Sequence, residues 1–384
     1  MKESIRIKNF GPIEDVEIND IPRFMVLVGE SGSGKSTILK TLAYFQWIFK
    51  MLNIRAYLSK AGVKGSPFKF KWDDFMRHAG FENYLKADTE IRYVNGSCEI
   101  SYKKVGGLKP GNVKVDELSL EKISFITDKR NIIPYMLAGK IRENKDFYLS
   151  ETLDDFSEAK KYTKEHNIDF LGVKISVEKE PNGERIYIKG CDDDNLFKVN
   201  FEDASSGMQN VSPLSMIVQY YCDRYDFVSA SSKMVLNYLS ESDNLKYFSP
   251  NLNMGEIGRR CVHIHIEEPE LSLYPESQID LIGSLVKHCF NSEHSHDIKL
   301  ALATHSPYVV NYLNLLAANT QGKDKDNPYL SINDMAVYEI TDGEAQDLKL
   351  TSNVAGKDLH IVNTRLMSDP LSSIYKSYKK IAGL

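Results

Sequence analysis

Phe24-Met25-Val26-Leu27-Val28-Gly29-Glu30-Ser31-Gly32-Ser33-Gly34-Lys35-Ser36-Thr37 decides the fold of this chain. Five apolar residues read as a buried strand, a glycine-rich turn follows, and Ile38 to Lys50 continues as a helix. Strand, Gly-x4-Gly-Lys-Ser turn and helix make the context of a phosphate-binding P-loop. Glycines let successive N–H groups point inward at phosphate oxygens. A helix opening near Lys35 adds the positive end of its dipole. On this reading Gly29, Glu30, Ser31, Gly32, Ser33, Gly34, Lys35, Ser36 and Thr37 hold ATP. Lys35 reaches the β- and γ-phosphates, and the Ser36 hydroxyl binds Mg²⁺. The competing reading is a Gly/Ser turn with a chance lysine, but the motif is complete and correctly flanked.

A second motif is Cys261-Val-His-Ile-His-Ile266-Glu267-Glu268-Pro269-Glu270, an apolar strand that ends in adjacent acids. In P-loop ATPases the first acid holds Mg²⁺ and the second orients the attacking water. Glu267 is thus a metal ligand beside Ser36, and Glu268 is catalytic. Pro269 lacks an N–H and suits the strand's end. Alone, the segment also reads as an exposed acidic loop after a core strand. A third strand, Leu300–Ala303, ends in Thr304-His305-Ser306-Pro307. Open α/β sheets bind ligands at the carboxyl ends of their strands, which places His305 near the γ-phosphate or the water. Ala204-Ser205-Ser206-Gly207-Met208-Gln209 precedes an amphipathic helix and offers a second anion site, or a plain N-cap.

In this order the motifs resemble the ATP-binding-cassette (ABC) class of P-loop ATPases. More narrowly they resemble the branch of chromosome-maintenance and break-repair ATPases and the OLD (overcoming lysogenization defect) family. Ile5-Arg-Ile-Lys-Asn9-Phe10-Gly11-Pro12-Ile13 resembles that branch's opening strand and turn. Ile266 to Pro275 resembles its Walker B and D-loop segment, with Glu where many relatives carry Asp. Ala303–Pro307 resembles its switch histidine. Ser206-Gly207 resembles the signature loop, with Met208 where transporters carry a second Gly. The resemblance spans roughly the first fifty residues and the last hundred and eighty.

The resemblance implies an α/β fold: an ABC-type P-loop nucleotide-binding domain with a mixed sheet and a helical/β insertion. It implies segments 1–50 and 201–384 as the ATP-binding domain. It also implies a homodimer, or a higher homo-oligomer, closed head-to-tail over two ATP molecules. Lys35, the Mg²⁺ site and His305 act in cis, and Ser206 with Gly207 contacts the nucleotide of the other protomer. Ser124-Phe-Ile-Thr-Asp-Lys129-Arg130 loosely resembles a family strand ending in an arginine near the nucleotide. Gln46 and Gln209 both stand as candidates for the Q-loop glutamine. Coiled-coil arms are absent from the sequence. About eighty residues follow His305, too few for the toprim domain that OLD nucleases carry. Related stand-alone ATPases work beside a separately encoded nuclease or toxin effector in anti-phage defence.

The 384 residues and 42% hydrophobic content suffice for a packed core, and no apolar run is long enough to span a bilayer. No membrane partner is expected. Five scattered cysteines without a Cys-x-x-Cys pair indicate neither zinc nor a disulfide framework, which fits a cytoplasmic protein. The net charge of −5 does not favour nucleic acid as a whole. Segment 51–200 reads as an antiparallel sheet with helical content between Ile132 and His166. Its strand candidates are Glu90–Val94, Cys98–Tyr102, Ile123–Ile126, Val173–Val177 and Arg185–Ile188, with turns at Asn95-Gly96 and Asn182-Gly183. Beyond it, helices are expected over Met208–Tyr225, Glu276–His288 and Pro307–Leu316, and strands over Val262–Ile266, Lys299–Ala303 and Met335–Ile340. Gln321–Pro328 reads as a mobile loop, with Asp324 and Asp326 in a solvated turn.

Phe68-Lys69-Phe70-Lys71-Trp72 alternates aromatics and lysines, with Arg55, Lys60, Lys64, Arg77 and His78 nearby. As a strand it suits DNA or RNA contact, or equally an edge strand with its aromatics in the core. His263 and His265 read as packed side chains, Glu293–Asp297 as a polar loop and Asp192–Asp194 as a turn. Three functions compete. The first is a dimerising Mg²⁺-ATPase that controls an effector. The second is a slow-turnover ATP-bound scaffold that restrains a partner. The third is a transporter motor, against which the departing signature and the Asn9-Phe-Gly-Pro opening argue.

Overall fold

The computed structural model describes residues 2–63, 70, 72–141, 146–181, 183–191, 197–241, 247–250, 252–319, 324, 327–354 and 357–382. The chain opens with strands β1 (Glu3–Phe10), β2 (Ile13–Ile18) and β3 (Phe24–Val28), then helix α1 (Lys35–Lys60). Next come α2 (Trp72–His78), β4 (Leu85–Asn95), β5 (Cys98–Lys103), β6 (Gly107–Lys109), β7 (Ser119–Ile126), α3 (Ile133–Leu137) and α4 (Phe147–Tyr162). Strands β8 (Glu165–Ile168), β9 (Val173–Glu180), β10 (Gly183–Gly190) and β11 (Lys198–Asn200) lead to α5 (Ser206–Asp223) and α6 (Phe227–Glu241). The remainder is β12 (Arg259–Glu267), α7 (Pro275–Phe290), β13 (Asp297–Thr304), α8 (Pro307–Ala318), β14 (Met335–Thr341), β15 (Glu344–Asp347), β16 (Lys349–Val354), β17 (Lys357–Val362) and α9 (Arg365–Ala382).

The fold is α/β around one large mixed sheet in the order β6-β5-β4-β1-β2-β15-β14-β3-β13-β12-β7. Its β14-β3-β13-β12-β7 half is parallel. Strands there are covered on both faces, so apolar runs replace strict alternation, although β7 and β12 keep buried polar residues such as Glu121, His263 and His265. Every residue of Phe24–Val28 is buried. The other half is built mostly of antiparallel hairpins: β1 pairs with β2 and β4, and β4 with β5. There the alternation returns, as in the buried Ile5 and Ile7 against exposed Arg6. Asn9, at an irregularity near the end of β1, and Gly11, in the turn to β2, take positive φ, which Asn and Gly tolerate.

Segment 51–200 does not lie in one sheet. Strands β4, β5 and β6 extend the main sheet outward from β1, β7 runs parallel beside β12, and β8–β11 make a separate four-stranded antiparallel sheet. Helix α4 packs on β7 and α5. Trp72 is not in a strand: it begins α2, is 6% exposed, and stacks on Tyr102 at 4.0 Å. An indole held against β5 gains more from apolar burial than the solvent-facing strand could offer. Residues 64–69 and 71, Asp192–Asp194 and most of 321–328 lie outside the described residues.

A polar seam crosses beneath the parallel strands. Lys299 on β13 bonds Glu3 on β1 at 2.6 Å. Glu3 also accepts from Gln46 of α1 at 2.7 Å and Tyr93 of β4 at 2.8 Å. Gln46 in turn meets His265 of β12 at 2.6 Å. Burial alone would raise the Glu3 carboxyl, but Lys299, His263 and Gln46 together hold it at about 2. Burial pushes His265 down to about 3, so it acts as a neutral hydrogen-bonding group.

Candidate active site

Register brings the motifs together. Leu27 of β3 pairs with Ala303 of β13, and Ala303 pairs with Glu267 of β12. One step on, Val28 pairs with Thr304. The glycine-rich turn, the two acids and His305 therefore leave three adjacent parallel strands at one level, at their carboxyl ends.

The turn is shaped by its glycines. Gly29, Gly32 and Gly34 have φ of 150°, 83° and 107°. A Cβ on Gly29 would lie 2.4 Å from the Ile340 carbonyl oxygen, and one on Gly34 would lie 2.4 Å from Ile13 Cδ1. Gly34 caps α1 without a side-chain bond, and the first turn of α1 carries no acid. The helix dipole is thus uncompensated where an anion would sit. The Lys35 ammonium is folded over the turn and donates to the carbonyls of Gly29 at 2.9 Å and Glu30 at 2.7 Å. Burial lowers its pKa, while Glu268 and Glu270 oppose that shift. Beside the turn lies a cavity of about 490 Å³, lined by Pro12, Glu14, the turn and Glu339–Gly343.

Glu267 is 2% exposed. Its carboxylate lies 3.3 Å from Lys40 Nζ and accepts from the Thr127 hydroxyl at 3.3 Å. Burial raises its pKa, against the pull of Lys40 and a hydrogen bond with Ser36. Ser36 and Glu267 are thus neighbours and form an all-oxygen pair suited to Mg²⁺. Glu268 stands at φ +43° on the turn, and its Oε1 is 3.6 Å from His305 Nε2. Glu270 holds the third strand's end to this turn. Its Oε1 accepts from Thr304 Oγ1 at 2.7 Å and from the His305 amide at 2.8 Å.

Ser205 and Ser206 are exposed at the start of α5, and Ser205 caps the Met208 amide at 3.5 Å. Gly207 packs beneath the D-loop segment, since a Cβ there would lie 3.0 Å from the Ser272 carbonyl oxygen. Neither glutamine candidate is open to the nucleotide. Gln46 belongs to the seam below the sheet, and Gln209 is buried and bonded to the Glu202 carbonyl at 3.0 Å.

Arg130 differs from the resemblance's arginine near the nucleotide. It is fully buried and grips backbone carbonyls: Thr127 at 3.0 Å, Glu267 at 2.7 Å, Glu268 at 2.6 Å and Asn210 at 3.1 Å. Its place just beyond β7 is the one signal in the sequence, and that signal does not reveal the partners. His263 and His265 are packed, as read from the sequence. His263 Nε2 meets Glu121 at 2.8 Å. Glu121, Cys261 and His263 lie within 4.8 Å of one another, yet the Lys299 ammonium interacts with the same group, which disfavours a cation there. His294 and His296 point to the carbonyls of His288 and Tyr221 from a polar loop.

Among the described residues no helix is long and apolar enough to cross a membrane. Residues 1–251 match the AAA ATPase domain. That stretch holds the P-loop, Arg130 and Ser206, while Glu267, Glu268 and His305 lie beyond it. No curated protein matches the chain at a significant level. Among solved structures, the SMC head domain from Thermotoga maritima aligns over 92% of this chain and 100% of its own, with 14% identity and a TM-score of 0.38. The Pyrococcus furiosus Smc head with an extended coiled coil, bound to the C-terminal domain of ScpA, aligns over 97% and 98%, with 12% identity and a TM-score of 0.38. A dimeric bacterial ABC transporter cassette aligns over 89% and 96%, with 13% identity and a TM-score of 0.30. These likenesses are too distant to carry an argument about chemistry. The match over residues 1–251 is what assigns the chain: it belongs to the AAA ATPase domain family.

Proposed function

We propose that this chain is a Mg²⁺-dependent ATPase whose copies close head-to-tail over two nucleotides and so control an effector. The observation that carries the reading is the common level of Gly29, Glu268 and His305 at the ends of β3, β12 and β13. A phosphate cradle, a buried acid beside Ser36 and a carboxylate–imidazole pair are thereby neighbours, and Glu268 acts on the Lys35 ammonium. The residues fit the nucleotide and the metal. The positive-φ glycines give a turn with no room for a Cβ at Gly29 or Gly34, Lys35 supplies a cation, and Ser36 with Glu267 supplies oxygen ligands. Ser36 and Glu267 would hold Mg²⁺, which would supply positive charge against the phosphate oxygens. Glu268 orients and deprotonates the attacking water, and His305 stabilises the transferring phosphoryl group.

The exposed Ser205 and Ser206 at the start of α5 support a composite site, because they offer a helix N-terminus outward to a second copy. The resemblance to the OLD branch supports a nuclease or toxin effector in anti-phage defence, acting in the cytoplasm. Phosphate release, with ATP-dependent dimerisation measured by light scattering, tests the reading. Absence of a dimer at saturating ATP refutes the head-to-tail arrangement. Co-purified intact ATP with negligible turnover assigns the chain to the scaffold instead. Turnover with and without double-stranded DNA at two salt concentrations tests for a nucleic-acid partner, since phosphate contacts weaken with salt.

A further inference from the structure

Glu268 is a non-glycine residue at positive φ, a conformation that persists only where surrounding contacts impose it. Three anchors do so. The Glu268 amide donates to the Ala303 carbonyl at 2.8 Å. Glu270 ties the turn to Thr304 and His305. The third anchor is Arg130, whose Nη1 donates to the Glu267 carbonyl and Nη2 to the Glu268 carbonyl. The same guanidinium donates through Nε to the Asn210 carbonyl, in the first turns of α5. Asn210 also bonds the Ser206 carbonyl at 2.9 Å and approaches Ser272 Oγ at 3.4 Å.

We propose that Arg130 is a positioning residue that couples the Ser206-Gly207 end of α5 to the Glu267-Glu268 turn of the same protomer. The inference rests on the ATPase reading above and adds a direction to it: engagement of α5 by the partner's nucleotide is felt at the water-orienting carboxylate. The geometry suits this task. A planar guanidinium spreads its N–H donors over a rigid fork and so holds carbonyls from two elements in fixed directions, where an ammonium offers fewer donors from a single point. Arg130 reaches backbone alone on both sides, so the link holds the main chain of the turn and leaves the carboxylates free. It is fully buried and touches no reacting atom. Burial lowers its pKa to about 10, which still leaves it charged at neutral pH.

The test compares wild type with Arg130→Lys and Arg130→Met. The measurements are kcat, KM, the Hill coefficient for ATP, affinity for a fluorescent ATP analogue, and the melting temperature. Wild-type turnover is the reference, and its absence would refute the ATPase reading itself. Given turnover, both variants should lose about 10- to 100-fold in kcat. ATP-analogue affinity should change less than about threefold, and the Hill coefficient should fall toward one. Arg130→Lys should fold and melt near wild type yet fail to restore kcat. Wild-type kcat in Arg130→Lys, or kcat and analogue affinity lost in parallel, overturns the proposal. If neither variant folds, hydrogen exchange on the wild type decides. ATP should protect 206–211 and 267–271 together, and protection of 206–211 alone overturns it.

Discussion

Replacing Lys299 by Met perturbs the seam beneath the site with little change in side-chain volume. Glu3 sits at about 2 in the fold against an ordinary 4.5. That difference corresponds to about 3 kcal/mol of stability. The carboxyl is fully buried, so solvent screening takes little from this figure. The sign follows from the direction of the shift. A group held lower in the fold contributes fully above its unfolded value, and the contribution drains away as pH falls from 4.5 toward 2. Removing the ammonium leaves Glu3 facing Gln46 and Tyr93 without a cation at bonding distance. Breaking a buried pair on one side costs about 3–5 kcal/mol. Lys299 retains 21% of its side-chain exposure, which argues for the lower end. Urea unfolding should therefore show Lys299→Met about 3 kcal/mol less stable at pH 7. The gap to wild type should narrow as pH falls below 4.5 and close only toward pH 2. The double variant Glu3→Gln/Lys299→Met should recover most of the loss, because no charge is then stranded. A loss below about 1 kcal/mol, or a double variant as unstable as the single one, would refute this account of the seam.

Glu268→Gln should keep ATP, lose about 100-fold or more of its turnover, and accumulate as a dimer by light scattering; wild-type turnover in this variant would remove Glu268 from the chemistry. Lys35→Ala and Ser206→Arg should each be inactive alone. Mixed in equal amounts they should regain about a quarter of wild-type activity, because half the dimers then hold one intact composite site of two; no recovery on mixing speaks against head-to-tail closure. Gly34→Ala forces a side chain onto φ 107° and against Ile13. It should cost about 1–3 kcal/mol and weaken ATP binding in a calorimetric titration, and a variant binding like wild type would show that the turn tolerates a Cβ.

Local signals survive in the sequence and distant ones do not. Phe24–Val28 is legible as a strand because a strand buried on both faces can be apolar throughout, and Val262–Ile266 and Lys299–Ala303 are legible because apolar residues dominate them despite His263, His265 and Lys299. The helices after Ser206, Pro275 and Pro307 are legible from their caps and prolines. The site motifs are legible for the same reason: each is one strand end and the few residues beyond it. Arg130 escapes, because apart from Thr127 its carbonyl partners lie 80 or more residues away. The Glu3–Lys299 pair spans 296 residues and has no local trace. Trp72 misleads, since alternating aromatics and lysines suggest a strand. Here packing on Tyr102 overrides the pattern and starts a helix.

The buried charges share a purpose that their stability cost does not explain. Glu3, Lys299, Glu121, Glu267 and Arg130 could in principle be replaced by apolar residues at little loss, since buried ion pairs seldom outperform good packing. Yet Glu267 and Arg130 meet at one turn, and Glu121 and Lys299, the latter bonded to Glu3, lie further back along the strands that flank β12. Lys40 and Thr127 hold the Glu267 side chain, and Arg130 holds its carbonyl. Glu270 holds His305 by its amide, and the Glu3–Gln46–His265 chain ties α1, which carries Lys35, to β12, which carries Glu267. Hydrogen bonds have direction where apolar contacts do not. A site that must keep a strained carboxylate-bearing turn opposite a histidine, to within tenths of an ångström, needs that direction. Arg130→Met and Lys299→Met should then part company. Both remove a cation paired in the interior, fully buried in Arg130 and part-buried in Lys299, but only Arg130 touches the turn. Stability should fall in each, whereas kcat per folded molecule should fall in Arg130→Met alone. Equal kcat losses in the two would show that the buried charges act through stability and not through geometry.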